Sequence, residues 1–151
     1  MLQSAQLRDR DAVEQLAQQV HALHVAWRPD IYESAEVLYP MERFREAVSK
    51  RELFVAKVGE EIIGYAAIKI RNYDWPGVVK RKVLLLDEIC VREDCRGHGF
   101  GTQILYEIGV IAKTFGCSDL QLSVSLENDA AVAFYQKNGF SIRNLNMLKK
   151  L

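Results

Sequence analysis

Seven residues near the middle of the chain, CRGHGFG at positions 95–101, combine three glycines with an arginine and a histidine. Backbone amides flanked by glycine can approach an anion closely, and amides that open a helix carry partial positive charge. Arg96 adds a side chain able to form a charge-assisted hydrogen bond to phosphate. A tight strand-to-helix turn needs only about one glycine. The spacing therefore favours an anion-binding loop over a purely structural turn.

Two adjacent carboxylates just upstream are the best candidates for acid–base chemistry. Asp87 and Glu88 interrupt the apolar segment KVLLLDEICV at positions 82–91. Side chains alternate between the two faces of a strand, so the pair reaches one site together only if a bulge intervenes. Burying an unpaired carboxylate is costly, and the pair therefore indicates polar surroundings or a functional pocket.

The elements that must position these residues follow from hydrophobic periodicity. Apolar residues at helical spacing predict helices, and runs rich in Val, Ile and Leu predict strands. Asn128 is suited to an N-cap and Gly139 to a helix stop. The predicted order is a strand at 2–7, helices at 11–27 and 41–50, a hairpin at 52–70, a strand at 82–91, a helix at 102–116, a strand at 119–126, a helix at 129–138, and one or two final strands within 140–151. This order predicts an α/β fold in which helices flank both faces of a mixed sheet.

Composition narrows the classes of partner. The 151 residues suit one domain, and 20 basic side chains balance 20 acidic ones, which argues against nucleic acid or an anionic membrane as the main partner. The first residues lack the apolar core of a signal peptide, so a cytoplasmic location is expected. Cys90, Cys95 and Cys117 have no spacing typical of a metal site, and we expect reduced thiols and no metal.

Two familiar phosphate motifs do not match the glycine loop. A dinucleotide fingerprint requires a third glycine where Thr102 stands, and a P-loop requires a lysine that is absent here. The loop does match the pattern [RQ]-x-x-G-x-[GA] through Arg96, Gly99 and Gly101. A second block, N-x-x-A-x-x-F-Y followed by G-F, is matched in the segment 128–140. With both blocks in order and a strand between them, the whole chain resembles the GCN5-related N-acetyltransferase (GNAT) superfamily.

The resemblance implies acetyl-CoA as donor and a single N-acetyltransferase domain over residues 1–151. The strand before the loop would pair with the pantetheine arm, the loop amides would hold the pyrophosphate, and Tyr135 would protonate the departing thiolate. The cofactor-binding set implied in this way is Ile89, Cys90, Val91, Arg96, Gly97, His98, Gly99, Phe100, Gly101, Thr102, Asn128, Asp129, Ala131 and Tyr135. Asp87 holds the place of a substrate-contacting acid in the polyamine branch, and Glu88 that of an acid in other branches; a relaying water is an equal alternative. Ser123 replaces a glutamate that ribosomal-protein acetyltransferases carry in the next strand.

The resemblance also implies that the acceptor is a primary amine on a small molecule or a protein. In the superfamily the first two helices and their connection usually wall the acceptor site, which makes His24, Trp27 and Tyr32 candidates; Trp75, in the loop before the strand at 82–91, is a candidate for the other side. Trp27 also fits a core position, and His24 a structural one. A homodimer is compatible with the resemblance. The alternative function is a module with the same fold that binds acyl-CoA without catalysis.

Overall fold

The computed structural model describes residues 1–151 as five strands and four α-helices. Two short 3₁₀ turns lie at Leu7–Asp9 and Glu93–Cys95. The elements are β1 Leu2–Ser4, α1 Arg10–Trp27, α2 Met41–Ser49, β2 Leu53–Val58, β3 Glu61–Tyr73, β4 Arg81–Val91, α3 Phe100–Thr114, β5 Asp119–Leu122 and α4 Asp129–Lys137.

The strands form one mixed sheet in the order β1-β2-β3-β4-β5. The first four pair antiparallel, and β5 pairs parallel to β4 after the crossover through α3. No helix is long and apolar enough to cross a membrane. The predicted mixed α/β sheet is confirmed.

Separate apolar clusters cover the two faces of the sheet. On one face, Ile104, Leu105, Ile108 and Ala112 of α3 pack against sheet residues that include Leu84 and Leu86. On the other, α1 and α2 contribute Val13, Leu16, Ala17 and Phe44, which pack against Leu53, Val55, Tyr65 and Cys90. Alternating strand residues therefore point to α3 or to the α1–α2 side, as expected for helices on both faces.

β4 and β5 stay together for only four residue pairs. Their register runs from Val83 opposite Asp119 to Leu86 opposite Leu122. β5 ends there, whereas β4 continues to Val91. The segment of β4 from 87 to 91 thus has a β3 partner on one side and no strand on the other.

Four segments differ from the sequence prediction. β1, predicted at 2–7, ends at Ser4. β3 extends through Tyr73, and β5 is half its predicted length because it stops at Leu122. Residues 140–151 form no strand, so the prediction of final strands is wrong. Ile142, Leu145 and Met147 lie exposed in that segment. A strand requires a neighbouring edge as well as suitable residues, and these residues form no backbone ladder with β5.

Candidate active site

The glycine loop presents a run of unsatisfied backbone donors. Gly97 and Gly99 adopt left-handed φ values of 80° and 84°, and Gly99 is the N-cap of α3. The first amide of this helix to donate within the protein is that of Gln103, to the carbonyl of Gly99. The six amides from 97 to 102 donate no hydrogen bond within the protein. Six free donors at a helix N-terminus form a cradle for an anion.

Gly101 joins this cradle to the last helix. A Cβ at this position would lie 3.1 Å from Cζ of Phe134, so the ring of Phe134 occupies the space above the first turn of α3. The next residue, Tyr135, packs between Phe134 and Phe140, with ring centroids 5.3 and 5.6 Å away. The missing side chain at Gly101 therefore allows α4 to bring Tyr135 to the end of the sheet where the loop lies.

The hydroxyl of Tyr135 is protonated at neutral pH, as a proton donor must be. Burial raises the pKa of its phenol above the usual value near 10, so the hydroxyl holds its proton at neutral pH. Although the ring is half-buried, the hydroxyl makes no hydrogen bond within the protein. It is thus free to donate to a ligand atom.

Beyond its last pair with β5, β4 has a free edge over residues 87–91, and this edge provides further backbone groups. Ile89 and Val91 are partly buried on the α3 side. Cys90 faces α1, where its sulfur lies 3.5 Å from the carbonyl of Leu16, and burial raises the pKa of its thiol to about 11. The side chain of Cys90 is therefore not available to a ligand at this edge. An extended amide chain lying beside this edge would satisfy groups that no strand satisfies.

Two loop side chains already have partners on the protein. Arg96 donates from Nε to the carbonyl of Val91 at 3.0 Å, and His98 Nδ1 lies 3.3 Å from the carbonyl of Cys95. Asn128 caps α4, its side-chain oxygen accepting from the amide of Ala131 at 3.1 Å. The predicted N-cap is confirmed. Only the side-chain amide nitrogen of Asn128 remains for a ligand.

A β-bulge decides where the two acids point. Ala67 pairs with Glu88, but the next residue, Ile68, pairs with Leu86, so Asp87 is an extra residue in β4. Asp87 forms an ion pair of 3.0 Å with Lys69, and Glu88 accepts from the hydroxyl of Tyr65 at 2.6 Å. Tyr65 and Lys69 lie an even number of residues apart on β3 and share one face. Both carboxylates therefore lie on the α1–α2 side.

Glu88 is held by one residue of β3, one of α2 and one of the segment that precedes α2. Its Oε2 accepts from Tyr39 at 3.0 Å as well as from Tyr65, and Arg43 lies 3.6 Å from Oε1. The guanidinium of Arg43 stacks 4.5 Å from the centroid of the Tyr39 ring. Burial and then the charge of Glu88 raise the pKa of both tyrosine hydroxyls far above 10. Both tyrosines therefore stay protonated and keep donating to Glu88.

The C-terminal half of α1 borders this acid cluster. His24 packs 5.2 Å from the ring of Tyr32 and 6.2 Å from that of Trp27. Burial, followed by the charge of His21, lowers the pKa of His24, whereas Glu88 opposes that change. The imidazole is thus neutral at pH 7. Trp27 is half-buried rather than a core residue.

A cleft of about 630 Å³ opens where β4 and β5 part. Its walls include Leu86, Asp87 and Leu122 at the last paired residues, and it continues along the sheet past Tyr73 to three arginines. Trp75 is exposed and stacks beside Tyr73, with centroids 5.2 Å apart. Of the two predicted acids, Asp87 lines this cleft and Glu88 lies next to it in sequence, held by its tyrosines.

A family model decides the family of the chain. The model described as the acetyltransferase (GNAT) family matches residues 17–140, more than half of the chain. The chain belongs to the GNAT acetyltransferase family. The match includes β4, the glycine loop and α4, which carry the geometry described above.

Two curated relatives of this GNAT protein are named as acetyltransferases. An N-acetyltransferase of Methanocaldococcus jannaschii, MJ1207, is 32% identical over 104 residues, which are 65% of this chain and 45% of that protein. The thialysine N-epsilon-acetyltransferase of Bos taurus is 30% identical over 81 residues, 54% of this chain and 45% of that protein. The aligned region thus spans less than half the length of either relative.

Two solved structures match the fold of the entire chain. The BH1408 protein from Bacillus halodurans, crystallised as a tetramutant, superposes with a TM-score of 0.94 at 29% identity, covering 100% of this chain and 99% of that one. Aminoglycoside N-acetyltransferase AAC(6')-Iy in complex with CoA has a TM-score of 0.69 at 17% identity, covering 100% and 93%. Because the identity to AAC(6')-Iy is only 17%, this second similarity is evidence for the fold alone.

The sequence predicted the backbone groups of this candidate site but not three side chains that the structure brings to Glu88. Tyr39, Arg43 and Tyr65 come from the approach to α2, from α2 itself and from β3, and they meet only on Glu88. One signal was available for Tyr65, a polar-tipped residue in an apolar strand whose buried hydroxyl requires a partner. No local pattern connects Tyr39 or Arg43 to an acid more than 40 residues away.

Proposed function

We propose that this GNAT protein is an acetyl-CoA-dependent N-acetyltransferase that moves an acetyl group directly to a primary amine, and that residues 1–151 form its single catalytic domain. The observation that carries this proposal is the free cradle of amides at 97–102, which adjoins the unpaired edge of β4. Together they offer donors for a diphosphate and a strand edge for an amide-containing arm.

The donor side uses backbone groups for binding. The loop amides bind the diphosphate, and Ile89 and Val91 pair with the pantetheine arm. The carbonyl of Val91 already accepts from Arg96, and its second lone pair remains available. Asn128 adds the nitrogen of its side-chain amide at the start of α4, next to Asp129 and Ala131.

The acceptor side uses the two carboxylates and brings the amine to the thioester carbonyl. Asp87 lines the cleft and has only the exposed Lys69 as partner, so it takes the amine proton directly or through a water. Glu88, fixed by two tyrosines, supplies negative charge that favours an ammonium group nearby. His24 and Tyr32 wall the adjoining side.

The transfer needs one proton removed and one delivered. The amine loses a proton as the new C–N bond forms, and the C–S bond breaks with its electron pair on sulfur. Tyr135 donates its phenolic proton to that sulfur, and the raised pKa of the phenol means that this proton is present throughout the neutral range. When bound, acetyl-CoA would supply the activated acetyl group as its thioester.

Calorimetry and a thiol-release assay test the proposal in sequence. We expect saturable binding of CoA to the full chain, followed by stoichiometric thiol release from acetyl-CoA when an accepted amine is added. The amine panel covers polyamines, amino acids, aminoglycosides and N-terminal peptides. Absence of CoA binding would remove the proposal. Binding without thiol release for any amine would instead support the acyl-CoA-binding module.

A further inference from the structure

The cleft beside Asp87 has an excess of positive charge that the reaction itself does not require. It is lined by Arg71 of β3, Arg81 of β4 and Arg143 of the C-terminal segment. Arg81 is neutralised by Asp119 at 3.0 Å and stacks on Tyr73 at 4.8 Å. Asp87, the acid of the cleft, is itself paired with Lys69. The charges of Arg71 and Arg143 thus remain uncompensated.

Neither Arg71 nor Arg143 forms an ion pair or a hydrogen bond in the protein, and both are exposed. Gln121 and Ser123 of the β5 region add neutral polar groups to the same walls. Two unpaired guanidinium groups that share a cleft repel each other unless an anion lies between them. A planar guanidinium suits a carboxylate, which it can bind through two parallel hydrogen bonds.

These arginines lie too far from the glycine loop to hold the diphosphate there. Arg71 pairs with Val83, whereas the loop begins beyond Val91 at the other end of β4. At about 3.3 Å per residue, the eight residues from 83 to 91 span about 26 Å. The bulge at Asp87 lies midway, so the arginines and the amide cradle are on opposite sides of the reacting centre.

We propose that this cleft selects an acceptor that carries a carboxylate as well as the primary amine, as a free amino acid with a side-chain amine does. The amine would lie at Asp87 and the carboxylate between Arg71 and Arg143. The four residues from Asp87 back to Val83 span about 13 Å. A molecule of the size of lysine, together with an arginine side chain, covers that distance. This assignment rests on the proposed function and specifies its acceptor class.

Matched pairs of amines provide the test. Lysine with cadaverine, and ornithine with putrescine, differ only in the carboxylate. We expect the carboxylated member of at least one pair to have the higher kcat/KM by about tenfold or more, the effect of a hydrogen bond to a charged group. Calorimetry with the same pairs on the protein–CoA complex measures the preference without turnover.

Substitutions in the cleft test whether its arginines cause the preference for the carboxylated amine. Arg71→Gln and Arg143→Gln should each abolish most of the preference while leaving the KM for acetyl-CoA unchanged. Arg45→Gln serves as the control, because Arg45 is an exposed arginine of α2 outside the cleft.

Three results would overturn the assignment. These are equal binding and transfer within every pair, a preference that survives both substitutions, and a raised KM for acetyl-CoA in the variants. The last result would indicate that the arginines bind acetyl-CoA rather than the amine. Failure of the proposed function has a different signature, since CoA itself would then not bind or no amine at all would release thiol.

Discussion

The two sides of the candidate site are built from different parts of the polypeptide. The donor side consists of main-chain groups, namely the free amides at 97–102 and the open edge of β4. On the acceptor side the two acids already have partners, with Glu88 bound by Tyr39 and Tyr65 and Asp87 paired with Lys69. The donor side therefore presents unsatisfied main-chain groups, whereas the two acids are held by other side chains.

This difference indicates how the two sides respond to amino-acid substitutions. Main-chain donors depend on glycine φ values and on the parting of two strands, so most side-chain changes leave them intact. Side-chain networks change whenever one member changes, because each unsatisfied partner costs free energy. Under the proposed function, related proteins can share the donor side and differ in the amine they accept.

Tyr135 connects the two sides, and its substitution should have the largest effect. In the proposed mechanism Tyr135 donates the proton to the sulfur, so we expect Tyr135→Phe to lower kcat about 100-fold, the range of general acid catalysis. CoA affinity measured by calorimetry should change less than about twofold, because the ring and its packing remain. Since burial raises the pKa of the phenol, the wild-type rate should not decline through this group until the pH exceeds 10. An unchanged kcat would deny Tyr135 the acid role.

The two acids should respond unequally if their different surroundings matter. Asp87→Asn should lower kcat/KM for the amine about 30-fold, within the range for loss of a general base. Glu88→Gln should lower it about tenfold or less, because the amide oxygen can still accept from a tyrosine. CoA binding should be unaffected in both variants, and Glu46→Gln, on exposed α2, is the control. A larger loss of kcat/KM in Glu88→Gln than in Asp87→Asn would indicate that Glu88, not Asp87, is the base.

Substitutions of two glycines, one at the start of α3 and one inside it, distinguish an effect on loop conformation from an effect on helix stability. Gly99→Val puts a β-branched residue at φ 84°, where the strain is of the order of 1–3 kcal/mol, and should weaken CoA binding about tenfold. Gly109→Ala adds a Cβ with nothing within 4 Å in the interior of the same helix. It should raise the free energy of unfolding by about 0.5–1 kcal/mol and leave CoA affinity unchanged. Denaturant unfolding and calorimetry measure both, and equal CoA affinity in the two variants would argue against the loop as the binding cradle.

Local sequence patterns predicted the elements whose signals are strong. The periodicity of α1, the N-cap Asn128 and the stop at Gly139 all have counterparts in the structure, where Gly139 adopts φ 88°. Alternation within residues 119–126 overestimated β5, and apolar residues in 140–151 suggested strands that do not form. Strand formation depends on a partner edge as well as on the residues themselves.

By itself, the sequence determined the backbone geometry of the glycine loop, because glycine spacing, a preceding apolar strand and a following helix act locally. The tertiary structure alone decided how the side chains around the two acids are arranged. The bulge at Asp87 puts both acids on one face, and distant segments bring Tyr39, Arg43 and Tyr65 to Glu88. The arginines of the cleft likewise come from β3, β4 and the C-terminal segment. Such contacts depend on register and packing between segments far apart in the chain, and no local pattern of residues specifies them.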